Sequence, residues 1–117
     1  MSIRVYGIKN CNTMKKVFNF LEENGVSFEF VDYKKQKPTI ELLKSFLQKV
    51  SLSTLVNKQG TTYRKMDENQ KAALEEEETA LPILVEHPSM IKRPIIDASG
   101  MDLLVGLDLQ KFQKLFS

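Results

Sequence analysis

Apolar residues open the chain in a short run. Ile3, Val5 and Ile8 mark a strand over residues 3–8, and Gly7 within it marks a close backbone approach. The period then changes. Met14, Val17, Phe18 and Leu21 recur at spacings of three and four, which predicts a helix with one apolar stripe running to about Asn24. Asn12 or Thr13 is the expected cap and Gly25 the expected stop. Residues 26–31 alternate again and carry Phe28 and Phe30, a second strand. A strand, a helix and a strand in this order imply a parallel pair with a right-handed crossover.

The middle of the chain reads as helical. Lys34-Lys35-Gln36-Lys37-Pro38 is a polar linker, and Thr39 caps a helix through about Val50 with Leu42, Leu43, Phe46, Leu47 and Val50 inward. A helical turn over 53–56 and a loop over 57–65 follow. Asp67 caps another helix through about Glu78, with Glu75 to Glu78 read as a solvated surface. Residues 81–86 are a short helical segment with Pro82 near its start. The tail returns to strands over 91–96 and 101–105, joined by a turn at Asp97-Ala98-Ser99-Gly100, and residues 109–116 close the chain as a helix.

Composition narrows the class of protein. At 117 residues and 42% hydrophobic content the chain is one domain with enough apolar matter for a core. It carries one cysteine and one histidine, which excludes an internal disulfide and a Cys/His zinc site, so no metal is expected. The net charge of +2 is too small to argue for nucleic acid. No signal peptide is evident and no run approaches the ~18 apolar residues of a membrane span, so a cytoplasmic protein without a membrane partner is expected. Of the 17 basic residues only Arg4, Arg64 and Arg93 are arginines, the side chain whose planar fork suits oxyanions.

The chemistry centres on Cys11. It falls in the loop from the first strand into the first helix, where unpaired N–H groups and the helix dipole favour negative charge. A thiol held there ionises more readily, and the thiolate is the reactive form. Lys9, Lys15 and Lys16 lie nearby in sequence and add positive charge. Lys9 by charge, and Thr13 by its hydroxyl and N–H, are candidates for an anion-binding loop that also includes Asn12. Lys15 serves equally well as a solvated helix residue. His87, beside Pro88, reads as a helix-end residue because no second catalytic partner accompanies it.

Three motifs occur in order: Tyr6-Gly7-Ile8-Lys9-Asn10-Cys11-Asn12-Thr13, Gly60-Thr61-Thr62-Tyr63-Arg64-Lys65 and Ile91-Lys92-Arg93-Pro94-Ile95. Together they resemble the arsenate reductase (ArsC)/Spx family, and within it the YffB-type proteins. The resemblance implies an α/β, thioredoxin-like fold (βαβ…ββα) with an inserted helical subdomain. Residues 1–36 and 81–117 would form the core and 37–80 the insert. It further implies Cys11 as nucleophile, Arg93 as the opposing cation, and Arg64 as an arginine contributed by the insert. Pro94 would be the cis-proline facing the sulfur; without the resemblance it reads as an ordinary trans proline at an edge strand.

Departures from the family pattern bear on the substrate. Arsenate reductases of this class read His-Asn-Pro-x-Cys-Gly-Thr-Ser-Arg around the nucleophile. Here Gly7 takes the histidine position, Met14 the serine and Lys15 the arginine, and residues 101–106 lack the family's third oxyanion arginine. Losing one bidentate donor removes an interaction on the order of 1.5–3 kcal/mol, which argues against arsenate. Met14 also stands where Spx-type regulators carry a second switch cysteine. The expectation is a monomeric thiol reductase with no bound cofactor. Its co-substrate would be glutathione or another small anionic thiol or disulfide, with glutaredoxin as a further thiol donor. Arsenate reductase is the alternative enzyme, and an Spx-like RNA polymerase-binding regulator the non-enzyme alternative.

Overall fold

Two stretches far apart in sequence build one sheet. The computed structural model describes residues 3–9, 11–98 and 103–116. The chain divides into two units, one formed by Met1–Asp32 with Arg93–Ser117 and the other by Tyr33–Lys92.

The first unit contains β1 (Ile3–Gly7), α1 (Asn12–Glu23), β2 (Glu29–Asp32), β3 (Ile95–Ala98), β4 (Leu104–Val105) and α7 (Leu109–Phe116). Its four-stranded sheet has the order β2-β1-β3-β4. β2 runs parallel to β1 with Val5 opposite Phe30, and β3 runs antiparallel with Val5 opposite Ile96. As a central strand, β1 is buried at every position except Arg4. Arg4 faces out and pairs at 3.4 Å with Glu29, its cross-strand neighbour.

The stripe read from the sequence faces this sheet. Met14, Val17 and Leu21 are fully buried and share a core with Ile3, Val5, Ile96, Ala98, Leu104 and Phe112. Phe18 stays half-buried, stacking on Phe28 and meeting Phe30 edge-on. Gly25 does end α1. At φ +67 it donates to the Glu22 carbonyl at 3.1 Å while Val26 N–H reaches the Leu21 carbonyl at 2.9 Å. That is the paired closure a left-handed residue makes possible.

The tail departs from the expected boundaries. Asp97 and Ala98 are strand residues, paired with Arg4 and Ile3. Ser99, Gly100, Met101 and Asp102, expected to form the rest of the turn and the head of the last strand, lie outside the described residues. Ile91 does not join β3: it forms an antiparallel bridge with Val56. Flanking that bridge, Asn57 N–H reaches the Met90 carbonyl and Lys92 N–H the Leu55 carbonyl.

The second unit contains α2 (Ile40–Leu47), α3 (Leu52–Leu55), α4 (Thr61–Arg64), α5 (Glu68–Ala73), α6 (Glu77–Glu86) and a 3₁₀ turn at Pro88–Met90. Thr39 caps α2 by accepting from Leu42 N–H at 3.1 Å. Asp67 and Gln70 exchange bonds in a capping box at the head of α5. Of the residues expected inward on α2, Leu43 and Phe46 are buried, whereas Leu42 and Leu47 are half-buried.

Three features of this unit differ from the sequence reading. The 57–65 loop contains the helical turn α4. The single helix expected from Asp67 to Glu78 breaks into α5 and α6, and the Thr79 hydroxyl donates to the Ala73 carbonyl at the end of α5. The glutamates then sit around the start of α6, Glu77 and Glu78 in its first turn, where the dipole favours them. Pro82 consequently lies inside α6 rather than near its start. The carbonyl it orphans belongs to exposed Glu78, which water can satisfy. The unit also extends beyond 37–80 at both ends, since α6 packs on α2 and on the 3₁₀ turn.

Candidate active site around the Cys11 thiol

Gly7 ends β1, and Cys11 is the N-cap of α1. Its N–H donates to the Lys9 carbonyl at 3.1 Å, and its own carbonyl accepts the first intrahelical bond, from Lys15 N–H, at 3.1 Å. Its φ of −140° and ψ of 132° are the extended values a cap requires. The cap is therefore the thiol residue itself, and not Asn12 or Thr13, which become the first two residues of the helix. This displacement has a chemical consequence. A cap side chain points at the N–H groups two and three residues on, so the sulfur occupies the place of a serine or aspartate oxygen.

Several influences act on that sulfur. Partial burial is the largest and pushes the thiol up. It is outweighed by the backbone N–H groups of Met14 and Thr13, the Arg93 charge and the Thr13 hydroxyl, which together hold the thiol below its ordinary value. No capping bond of standard geometry forms, so the N–H groups act as aimed dipoles near the sulfur more than as full hydrogen bonds.

Arg93 comes from the other half of the unit, just ahead of β3. It is half-buried, and the Arg93–Pro94 peptide is cis. Pro94 is buried, and its carbonyl accepts from Gly106 N–H at 2.8 Å, a residue held at φ +83. The pairing of β1 with β3 thus delivers Arg93 and Pro94 to the end of the sheet where Cys11 emerges.

The remaining sequence candidates are placed as follows. Lys9 is exposed in the turn before Cys11, where its carbonyl is engaged, and Asn12 is exposed at the first position of α1. Lys15 is exposed on α1, and Asn10 lies outside the described residues. Arg64 is exposed at the end of α4, in the second unit. His87 is the C-cap of α6. The first unit by itself assembles Cys11, Thr13, Arg93 and Pro94. The sequence reading did not single out Met14 as a site residue, although an apolar residue three positions after a cap signals the first buried turn of a helix. Among the described residues no cluster of His, Cys, Asp or Glu could hold a metal ion, and no helix is long and apolar enough to cross a membrane.

This arrangement suits a thiolate that attacks an oxyanion centre or a sulfur. The chain is 37% identical to an uncharacterised protein of Haemophilus influenzae, across 98% of this chain and 99% of that one. It is 26% identical to an arsenate reductase of Neisseria meningitidis serogroup A, covering 95% of each. Among solved structures, one named YFFB protein superposes with a TM-score of 0.92 at 38% identity, covering 99% of this chain and 100% of that one. An arsenate reductase from Vibrio cholerae, at 20% identity, a TM-score of 0.78 and 97% coverage of each chain, shares the fold. The ArsC family profile matches residues 6–115. With a thioredoxin-like sheet, a cysteine at the head of α1 and this match over nearly its whole length, the chain belongs to the ArsC family.

Proposed function

We propose that the chain is a thiol reductase in which Cys11 is the single nucleophile and glutathione the resolving thiol. The observation that carries this reading is the placement of the Cys11 sulfur at the N-cap, facing the N–H groups of Thr13 and Met14 with Arg93 adding positive charge. The attacking species is the thiolate. It forms a bond to one sulfur of a substrate disulfide, and the other sulfur departs as a thiolate. The chain has no second cysteine to reopen the mixed disulfide. An external thiolate must attack it, restoring the Cys11 thiolate and carrying away the substrate sulfur as a new disulfide. Glutathione suits this step because it is anionic, and Arg93 and Lys9 supply positive charge beside the loop.

Intact-mass analysis after incubation with oxidised glutathione tests the first half. The expected product carries one glutathione on the wild-type chain, none on Cys11→Ala, and loses it on addition of reduced glutathione. An unmodified wild-type chain would remove the proposal. The similarity to the Neisseria meningitidis arsenate reductase supports arsenate as the alternative substrate. Against it stand Gly7, Met14 and Lys15 in place of histidine, serine and arginine. Arsenate-dependent consumption of reduced glutathione decides between the two.

A further inference from the structure

A methyl group added at Gly7 would sit 2.8 Å from both the Sδ and the Cε of Met14. Carbon atoms at rest against one another stand about 3.5–4.0 Å apart, so a side chain at residue 7 would require the Met14 side chain to move. Gly7 is not a glycine for conformational reasons. Among the described residues positive φ occurs only at Gly25 and Gly106, and Gly7 is an ordinary strand residue paired with Asp32. The Met14 thioether lies over its bare backbone. Nor can the thioether easily step aside: Met14 is fully buried, within the core formed by Val5, Val17, Leu21 and Ile96.

The contact joins two structures that must be held in register for the thiol. Gly7 ends the strand that leads into the Cys11 loop, and Met14 completes the first turn of the helix that Cys11 caps. We propose that Gly7 and Met14 are the positioning pair of the thiol site: the thioether locked over Gly7 fixes the first turn of α1 so that the N–H groups of residues 13 and 14 stay aimed at the Cys11 sulfur. This rests on the reading of Cys11 as an activated nucleophile. The same contact accounts for two departures from the arsenate reductase motif at once. A side chain at 7 and a long apolar residue at 14 compete for the same space. With this pair in place, neither position offers a histidine, hydroxyl or second thiol to Cys11.

The test is the pH dependence of Cys11 alkylation by iodoacetamide, in folded wild type, Gly7→Ala, Met14→Ala and the conservative Met14→Leu. Circular dichroism verifies folding in each. Wild type should alkylate at lower pH than an ordinary cysteine. In Gly7→Ala and Met14→Ala the profile should move toward that of an ordinary cysteine, with the neutral-pH rate falling by about threefold or more as thiolate is lost. Met14→Leu, which keeps a large buried side chain, should retain most of the wild-type rate. If wild type is depressed but Gly7→Ala and Met14→Ala match it while losing only stability, the positioning role is overturned and the nucleophile stands. If wild type itself behaves as an ordinary cysteine, the nucleophile reading fails, and the positioning role fails with it.

Discussion

Substituting Gly7 by alanine is a one-carbon change with a calculable cost. The new methyl lies 2.8 Å from the Met14 thioether, so one or the other must retreat by roughly 0.7–1.2 Å to reach normal contact. Met14 is fully buried, and the sheet side is held by β1, the central strand. Forcing extra volume into such a core costs typically about 1–3 kcal/mol. At roughly 4 °C per kcal/mol for a chain of this size, Gly7→Ala should melt about 4–12 °C below wild type. Met14→Ala removes the clash but opens a cavity, at about 2–5 kcal/mol. In the double variant the methyl introduced at position 7 enters the space the thioether has left. The double variant should therefore be no less stable than Met14→Ala alone, a coupling on the order of 1–3 kcal/mol. Independent sites add within about 0.3–0.5 kcal/mol. Urea unfolding of the four proteins measures the cycle. Additive effects would refute the claim that the two positions share one space.

Three further outcomes follow from the same geometry. Arg93→Ala should raise the Cys11 thiol and slow its alkylation at neutral pH without abolishing it, because the N–H groups of Met14 and Thr13 remain; iodoacetamide kinetics measure this. Folding lowers the Cys11 thiol from its unfolded value of about 8.5, so the stability it contributes is fully present above that value and is lost as pH falls through the lower folded pKa. The urea midpoint of wild type relative to Cys11→Ala should accordingly rise with pH across that window and flatten above it; a flat difference throughout would contradict the lowered thiol. Thr39→Ala should destabilise by about 1 kcal/mol through loss of the bond accepted from Leu42 N–H, seen in the urea midpoint, with Thr39→Ser close to wild type.

The thiol loop and the sheet were legible in the sequence because they rest on local periodicity. Met14, Val17 and Leu21 revealed the buried face of α1, and Gly25 its end. What the sequence hid depended on partners distant along the chain. Asp97 and Ala98 look like turn residues until Arg4 and Ile3 pair with them. Ile91 has strand chemistry, but its partner is Val56. At the break between α5 and α6 the Thr79 hydroxyl takes the Ala73 carbonyl, six residues back, a partner no local periodicity announces. At the site, the sequence shows a cysteine ahead of a helix but not which residue takes the extended cap conformation. That single backbone choice decides whether the sulfur faces the helix N–H groups. Gly7 was legible as a close approach, whereas Met14 as the approaching group required the fold.

Turnover puts the central claim to its most direct trial. The initial rate of glutathione-dependent reduction of a small disulfide can be followed through NADPH with glutathione reductase as the coupling enzyme. The account predicts a rate above background that saturates with glutathione and falls to background in Cys11→Ser. A wild-type rate at background, or one that survives Cys11→Ser, would contradict it.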